Sequence, residues 1–315
     1  MSFPSLNWRT ALADRVIPVI AGCTATGKTA AALELASRFS GIEIISADSR
    51  QFYRGMDIGT AKPSSSELQS VVHHMIDVAD PVKLLSAGWF AKEGMKAIED
   101  VFARGSTPLV VGGSALYLMS LAGLFDDLPD RNDNIREALK SIENEAPGSL
   151  HRLLRGIDPG EAMRLDKSDT VRLVRSLEIG LLSMELPSEM KKGGNPDGRF
   201  RFAVIEAEGA VLRKRIQQRT SEMLKNGLVD EVRSLLGSGV PEEPVLSATI
   251  GYAEIIDYLK GLCTEEEAFQ RISVNTWRFA RRQRNMFRRL PGAVRTGNSP
   301  GSIAEILFKE RMNDG

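Results

Sequence analysis

Gly22-Cys23-Thr24-Ala25-Thr26-Gly27-Lys28-Thr29 is the stretch of sequence that decides the fold. It fits the pattern G-x-x-x-x-G-K-[ST], in which backbone N–H groups and the lysine surround a diphosphate or triphosphate. The apolar run Val16–Ala21 before it predicts a buried strand, and Thr29–Phe39 after it predicts a helix. The free N–H groups and positive dipole end of that helix would face the same oxygens. All eight residues of the loop are therefore candidate diphosphate ligands, and the pattern leaves open which phosphate compound binds.

Strand and helix patterns alternate after this loop. Ile42–Ser46 and Pro108–Val111 are short apolar runs, and between them a helix pattern begins near Ser86 and ends before Gly105. Such alternation indicates a parallel sheet covered by helices on both faces. Ligands of these sheets bind at the carboxyl ends of the strands, so Asp48 is expected on the same rim as the phosphate loop.

The middle of the chain has a different character. Residues 126–196 are charged and helix-like, and strand character returns at Arg199–Ala207. Three further helix patterns follow, at Ala210–Asn226, Ser247–Leu259 and from about Glu265 to Leu290. We therefore expect an α/β fold, a P-loop NTPase-like parallel sheet flanked by helices, built from residues 1–125 and 197–315. Residues 126–196 would form an inserted all-helical domain.

Composition narrows the class of protein. The chain has 42% hydrophobic and 26% charged residues, which is typical of a soluble globular protein. Its 41 basic and 41 acidic residues balance, so only their distribution can point to a nucleic-acid partner. Cys23 and Cys263 are the two cysteines, which argues against a structural disulfide and favours a reducing, cytoplasmic location. No signal peptide or membrane-spanning run is evident, and the three histidines form no metal-binding pattern.

Two groups near the loop are candidates for chemistry. Asp48 could bind magnesium or accept a proton, or it could only cap a turn. Arg215 and Arg219 are four residues apart and share one face of a predicted helix. A guanidinium fork suits phosphate oxygens, and the alternative is a solvated helix face.

The C-terminal segment concentrates the positive charge. No Asp or Glu occurs from Ala268 to Ala304, where eight arginines are interleaved with Trp277, Phe279 and Phe287. This pattern predicts a surface for RNA or DNA phosphates, with Arg278, Arg281 and Arg282 among the contacts. The alternative is a basic exposed helix face whose aromatic side chains pack inward, and we expect the aromatics to be core residues.

Several blocks together resemble the tRNA dimethylallyltransferases. They are Gly22–Thr29, Ser46–Pro63 (SADSRQFYRGMDIGTAKP), His73–Asp77 (HHMID), Val111–Tyr117 (VGGSALY), Gly251–Glu254 (GYAE) and Arg281–Gln283 (RRQ). The likeness runs from about Val19 to Leu290, and the block Asp57–Pro63 is far more specific than the phosphate loop. In this loop Cys23 replaces the proline usual in the family.

The resemblance implies a reaction and its residues. The family transfers a dimethylallyl group from dimethylallyl diphosphate to N6 of the adenosine just 3′ of a tRNA anticodon. Lys28, Mg²⁺ held by Thr29, and Arg215 or Arg219 would stabilise the departing diphosphate. Thr24 and Asp48 would act on the acceptor side, with Asp48 accepting the proton from the amine. The adenosine would leave its stack to reach the diphosphate.

The resemblance also implies a tRNA surface, in which the helical insertion and the catalytic body grip the anticodon stem-loop. A monomer is expected by the same analogy. The positions it assigns to tRNA binding are Asp48, Ser49, Arg50, Gln51, Ser114, Arg136, Val171, Arg172, Leu173, Val174, Arg175, Ile250, Gly251 and Tyr252.

Two other functions stay open at this point. One is a sibling enzyme that prenylates AMP or ATP; it would share the loop and Asp48 but would need no anticodon grip. The other is a nucleic-acid-binding P-loop ATPase or kinase. The run Pro108–Val111 ends in glycines, where many such ATPases place a magnesium-binding aspartate, and this counts against the latter.

Overall fold

The structure is a computed structural model that describes residues 15–126, 128–191 and 193–308. The chain divides into two compact units. Residues 122–197 form one unit, and the segments before and after them together form the other.

The first unit is built on a six-stranded parallel sheet with the strand order β3-β2-β4-β1-β5-β6. The strands are β1 (Ile17–Gly22), β2 (Ile42–Ser46), β3 (His73–His74), β4 (Thr107–Gly112), β5 (Phe200–Ile205) and β6 (Val294–Thr296). β1, β2 and β4 are buried along their whole length, as continuous apolar strands covered on both faces should be. The α/β fold expected from the sequence is confirmed.

The central position of β1 places the phosphate loop in the middle of the sheet. Val19 of β1 pairs with Val110 of β4 on one side and with Phe202 of β5 on the other. β5 follows the helical segment in the chain and still pairs directly with β1. The loop that leaves β1 therefore has strand ends on both sides of it.

Helices cover this sheet. They are α1 (Lys28–Arg38), α2 (Ser65–Ser70), α3 (Ala87–Ala103), α4 (Ala115–Leu121), α10 (Gly209–Lys225), α11 (Leu228–Gly237), α12 (Tyr252–Leu259), α13 (Glu265–Phe287) and α14 (Pro300–Phe308). α1 and α14 pack on the sheet through a cluster that includes Leu35, Ile303 and Leu307. A second cluster joins α11, α12 and α13 around Val232, Ile255 and Ile272.

Local capping explains several helix boundaries. Ser86 accepts a hydrogen bond from the backbone N–H of Trp89 and starts α3, and Gly105, with φ of 74°, follows its end. α13 begins with a capping box in which Thr264 and Glu267 bond each other's backbone N–H groups.

The second unit, described by itself, is helical. Its helices are α5 (Asp133–Glu145), α6 (Ser149–Ile157), α7 (Pro159–Arg164), α8 (Thr170–Ser183) and α9 (Pro187–Met190). Leu139, Leu150, Leu154, Leu173 and Leu177 form its core.

The structure departs from the sequence-based expectation in a few elements. The pattern from Ser247 predicted one helix, but α12 starts only at Tyr252, because Gly251 before it has φ of 98°. Residues Glu242–Leu246 form a separate short kinked segment, in which Glu243 has an extended backbone (φ −96°, ψ 147°). Neither β3 nor β6 was expected, since strands of two and three residues carry no periodic signal.

Candidate active site

A cavity of about 340 Å³ opens in the first unit at the carboxyl edge of the sheet. The phosphate loop, the segments after β2 and β4, and the facing sides of α10 and α13 line it. Among its lining residues are Thr24, Lys28, Thr29, Asp48, Ser49, Arg50, Gln51, Ser114, Arg219, Ile250, Gly251 and Arg282. The edge of the sheet where the sequence predicted a ligand is therefore the edge that carries the cavity.

The phosphate loop is held in one conformation by its own residues. A Cβ on Gly22 would lie 2.7 Å from the carbonyl oxygen of Ile205, so the close pairing of β1 with β5 requires glycine there. Gly27 adopts φ of 94° at the start of α1. The Thr26 hydroxyl is buried and donates to the carbonyl of Cys23 at 2.9 Å, so this side chain helps to fix the loop and only the backbone of Thr26 could contact a diphosphate.

Lys28 points along the loop. Its Nζ donates to the carbonyl oxygen of Cys23 at 2.9 Å. Burial lowers the pKa of Lys28 to about 8, and the negative charge of Asp48 opposes that change. The ammonium is thus poorly solvated and short of anionic partners, which is a suitable state for a group that binds diphosphate.

Arg219 and Arg215 both reach the phosphate loop from α10. Arg219 Nη1 donates to the Thr24 hydroxyl at 3.3 Å and its Nη2 to the carbonyl of Thr60 at 3.5 Å. Burial lowers the pKa of Arg219, and Asp48 acts in the opposite direction. Arg215 Nη1 lies 3.5 Å from the carbonyl oxygen of Ala25. These contacts put both guanidinium groups beside the loop.

The turn after β2 carries Asp48. One carboxylate oxygen of Asp48 accepts the backbone N–H of Arg50 at 3.0 Å, so Asp48 caps this turn and lines the cavity as well. Arg50 Nη2 donates to the carbonyl of Ala248 at 2.9 Å. The Ser114 hydroxyl accepts the N–H of Ser49 at 3.2 Å and joins the turn to the segment after β4.

Gln283 is a site residue that the sequence did not single out by role. Its Oε1 accepts the backbone N–H of Thr24 at 3.0 Å, and its Nε2 donates to the carbonyl of Gly113 at 2.7 Å. The side chain is 6% exposed and fixes α13 to both the phosphate loop and the end of β4. The only signal was its place in the Arg281–Gln283 motif, because both partners are distant in the chain.

The basic segment is largely α13. Arg278, Arg281 and Arg282 are exposed on it, and the Arg282 guanidinium lies 5.9 Å from the centre of the Phe279 ring. Phe279 lines the cavity with 36% of its surface exposed, whereas Phe287 is in the core, so the expectation that the aromatics are buried is wrong for Phe279.

The acid-free segment also finds acidic partners elsewhere in the chain. Arg271 forms an ion pair with Asp257 at 2.6 Å, and Arg295 lies 3.7 Å from Glu206. These two arginines are therefore engaged within the protein, and the stretch without Asp or Glu is not a stretch without counter-charge.

In the helical unit, α8 carries both core and surface positions. Leu173 and Val174 are buried in the core, so their side chains cannot contact RNA, contrary to the expectation. Val171 is 77% exposed, and Arg172 is exposed beside it.

Arg136 and Arg175 bind the fully buried Glu178. Arg136 donates two bonds to it, at 2.8 and 2.7 Å, and Arg175 donates one at 2.7 Å. Arg175 also donates to the carbonyl of Pro129 at 2.8 Å. The arginines hold the helices of this unit together, and any contact with RNA would involve guanidiniums that are already oriented.

Tyr252 differs most from its expected place. Its side chain is fully buried, and its hydroxyl donates to Glu231 at 2.6 Å, so it cannot touch a partner in the observed conformation. Of the neighbouring predicted positions, Ile250 and Gly251 line the cavity.

Among the residues that the structure describes, the cysteine and histidine side chains do not form a second candidate site. Cys23 is a buried free thiol whose pKa is raised by burial. His74 contacts the Glu43 carboxylate at 2.7 Å near the start of β2. Within residues 15–126, 128–191 and 193–308, no three His, Cys, Asp or Glu side chains converge as a metal site. Over the same described residues, no helix is both long and apolar enough to span a membrane.

Comparisons with known proteins agree with one another. The model of a family described as IPP transferase matches residues 51–290. A tRNA dimethylallyltransferase from Thermotoga petrophila is 42% identical over 297 residues, covering 93% of this chain and 97% of the relative. The tRNA dimethylallyltransferase from Geobacter metallireducens is 41% identical over 296 residues, with 92% and 94% of the two chains covered.

Solved structures extend this likeness to the fold. The tRNA isopentenylpyrophosphate transferase from Bacillus halodurans is 34% identical, with a TM-score of 0.67 over 92% of this chain and 94% of that one. A eukaryotic dimethylallyltransferase acting on tRNA is 26% identical, with a TM-score of 0.77 over 92% of this chain and 76% of that one.

Proposed function

The chain belongs to the IPP transferase family, and from that premise we propose that it transfers a dimethylallyl group from dimethylallyl diphosphate to tRNA. The acceptor is N6 of the adenosine just 3′ of the anticodon, and diphosphate is released. The observation that carries the proposal is the common cavity of Lys28, Arg219 and Asp48. A diphosphate site and a carboxylate that can accept a proton lie there together.

The diphosphate half of the site is formed by the phosphate loop with Lys28, Arg219 and Arg215. As the allylic C–O bond breaks, its electron pair goes to the departing diphosphate, and negative charge builds on its oxygens. Fixed donors that already point at this position stabilise such charge most, because they need no reorganisation during the reaction. The lowered pKa values of Lys28 and Arg219 reflect the poorly solvated surroundings in which these donors act.

The acceptor half of the site is formed by Asp48 and the Thr24 hydroxyl. The N6 amine forms the new C–N bond and loses a proton, which the Asp48 carboxylate accepts. An aromatic amine is a weak nucleophile, so holding it in line with the breaking bond matters as much as basicity. The hydrogen bond from Arg50 N–H orients Asp48 for this role.

Magnesium fits the donor set on the phosphate side. Mg²⁺ usually keeps several waters and binds substrate phosphates together with one or two protein oxygens. Thr29 lines the cavity directly after Lys28 and is the residue that would hold the ion. When bound, the ion would supply further positive charge to the departing diphosphate.

The tRNA half of the proposal is supported by the exposed arginines of α13. Arg278, Arg281 and Arg282 would contact backbone phosphates, and Phe279 offers an exposed ring at the cavity for the displaced base to stack on. The helical unit would add contacts through Val171 and Arg172, which α8 exposes. The enzyme would act in the cytoplasm as a monomer.

One assay separates the proposal from its alternatives. The protein is incubated with labelled dimethylallyl diphosphate and Mg²⁺, together with either unmodified tRNA or AMP. We expect label in tRNA and none in AMP. Label in AMP would indicate the sibling enzyme. Label in neither acceptor, with phosphate release in a parallel incubation with ATP, would indicate an ATPase or kinase.

A further inference from the structure

The turn Asp57–Pro63 is far more specific to the family than the phosphate loop, and the functional residues named above do not explain it. It lines the cavity through Gly59, Thr60 and Ala61. A segment in that position can act on the site without touching a reacting atom.

Glu231 of α11 holds the start of the turn. Its Oε2 accepts the backbone N–H groups of Asp57 at 3.0 Å and Ile58 at 2.7 Å, and its Oε1 accepts that of Gly59 at 3.1 Å. Successive N–H groups that converge on one anion form a nest, a geometry that favours negative charge. The carboxylate thus supplies the hydrogen-bond acceptors that backbone carbonyls would supply to these three N–H groups in a strand or helix.

Tyr252 fixes Glu231 and the turn against each other. Its hydroxyl donates to Glu231 Oε1 at 2.6 Å, and burial, followed by the Glu231 charge, raises its pKa well above the usual range. The hydroxyl therefore remains a donor at any working pH. A Cβ on Gly59 would overlap the Tyr252 ring, so only glycine allows this approach.

The turn is braced by further bonds, both within it and to neighbouring segments. The ammonium of Lys62 is almost fully buried and donates to Asp57 and Asp77, at 2.5 Å each, and to the carbonyl of Tyr53 at 2.9 Å. The Thr60 hydroxyl donates to the carbonyl of Met56 at 2.6 Å. Within the turn, the backbone N–H groups of Lys62 and Ala61 donate to the carbonyls of Asp57 and Ile58 at 3.0 Å each, so we expect a change at Asp57–Gly59 to reach Thr60 and Ala61.

The other side of the turn orients two site residues. The carbonyl of Thr60 accepts Arg219 Nη2 at 3.5 Å, while Nη1 of the same guanidinium reaches the Thr24 hydroxyl at 3.3 Å. The carbonyl of Ala61 accepts Gln51 Nε2 at 3.2 Å. Arg219 thus lies between the turn and the phosphate loop.

We propose that Glu231 is a positioning residue for the diphosphate site: it sets the Asp57–Pro63 turn at the place where the Thr60 carbonyl directs Arg219 toward the phosphate loop. The inference rests on the proposed function, since it concerns the diphosphate half of the same site. It explains why a block without an apparent reacting group is so specific.

The test measures binding of inorganic diphosphate in the presence of Mg²⁺ by titration calorimetry. Glu231→Gln should weaken binding about tenfold, because a small misplacement of a ligand-binding group is costly. Asp230→Asn is the matched control: it lies next to Glu231 in α11, removes the same charge and, among the contacts of the described residues, breaks an exposed pair with Arg233. It should bind diphosphate as the wild type does.

A double-mutant cycle identifies the route. Arg219→Gln should weaken diphosphate binding by itself, and adding Glu231→Gln should then change the Kd less than about twofold, because the route is already lost. The inference would be overturned if the fold-increases in Kd of the two single variants multiply in the double variant. It would also be overturned if Glu231→Gln binds diphosphate as tightly as Asp230→Asn.

Two precautions keep the result decisive. If Glu231→Gln does not fold, Tyr252→Phe removes only the hydroxyl that fixes Glu231; a Kd raised about threefold supports the inference, and an unchanged Kd overturns it. Binding of inorganic diphosphate requires neither prenyl transfer nor tRNA. A failure of the proposed function would therefore appear in the labelling assay and leave this cycle readable.

Discussion

At the scale of single residues, the candidate site combines groups that both stabilise the local fold and line the cavity. Asp48 caps a turn and lines the cavity, and Lys28 bonds its own loop while lacking an anionic partner at hydrogen-bond distance among the described contacts. Substitutions at such positions must separate the two roles.

Asp48 is expected to be the proton acceptor. Asp48→Ala should lower kcat for prenyl transfer by about 10²–10⁴-fold, the usual contribution of general-base catalysis, with tRNA affinity within about twofold of the wild type. Asp48→Asn is the informative partner, because its amide oxygen can still accept the Arg50 N–H. Single-turnover assays and tRNA binding would be measured for both. An Asn variant with near-normal turnover would reduce Asp48 to a turn cap.

Lys28 should make diphosphate binding sensitive to pH. Its pKa is about 8, so the ammonium is charged below that value and becomes neutral as pH rises through it. KM for dimethylallyl diphosphate should therefore be flat near pH 7 and rise above pH 8, approaching about tenfold per pH unit. Lys28→Met should bind weakly and lose this dependence. If the KM of Lys28→Met rises above pH 8 in the same way, the titrating group is not Lys28.

At the scale of elements, α13 has a buried side and an exposed side with different tasks. Gln283 and Phe287 face the interior, while Arg281 and Arg282 face outward. The buried side ties the helix to the phosphate loop, so the exposed arginines are fixed relative to the cavity. Contacts from such fixed groups to backbone phosphates would set the orientation of a bound nucleic acid.

The arginines of α13 are expected to set the salt dependence of tRNA binding. Arg281→Gln and Arg282→Gln should each weaken tRNA affinity and reduce the slope of log K against log [salt] by about 0.7–0.9 per lost phosphate contact. Arg271→Gln, on the same helix but paired with Asp257, is the control and should keep the slope. Filter binding from low to high salt measures all three. If every variant keeps the wild-type slope of log K against log [salt], tRNA phosphates do not contact these arginines.

Elements with a strong local signal could be predicted from the sequence. β1, β2, β4 and β5 are apolar runs beside recognisable turns, and they position the phosphate loop and Asp48 as expected. Gln283 and Glu231 could not be given their roles, because each acts through backbone groups that are distant in the chain. Leu173 and Tyr252 were assigned to tRNA by position in a motif, and burial rules out contact through their side chains.

At the scale of the whole molecule, each unit has its own core and its own buried charges. In the helical unit the key group is Glu178, whose carboxylate is fully buried and bonded by Arg136, Arg175 and the backbone N–H of Asn132. Removing one partner of a buried pair is more destabilising than removing an exposed pair, because a charge is left without compensation.

Glu178 should make the helical unit sensitive to acid. Burial alone would raise the pKa of Glu178. Hydrogen bonds from Arg136, Asn132 and Arg175 instead hold this pKa at about 2, below the ordinary 4.5. Its stabilisation, on the order of 1–3 kcal/mol, is therefore complete above pH 4.5 and is lost as pH falls from 4.5 toward 2. Thermal unfolding followed by circular dichroism at pH 7 should give a lower Tm for Glu178→Gln than for the wild type. On acidification, the Tm of the variant should fall less than the Tm of the wild type. The exposed Glu137→Gln is the control, and identical acid profiles would contradict the assignment.

The pairing of β5 with β1 has a consequence for biosynthesis. The ribosome completes residues 122–197 before it makes β5, and at roughly 5–20 residues per second β1 waits on the order of ten seconds or more for this neighbour. The nascent helical segment has short-range contacts and can fold during that interval. Meanwhile β1 offers an unpaired apolar edge to other polypeptides, a hazard for any open sheet. Premature termination ahead of Phe200 should therefore yield a product prone to aggregation and dependent on chaperones.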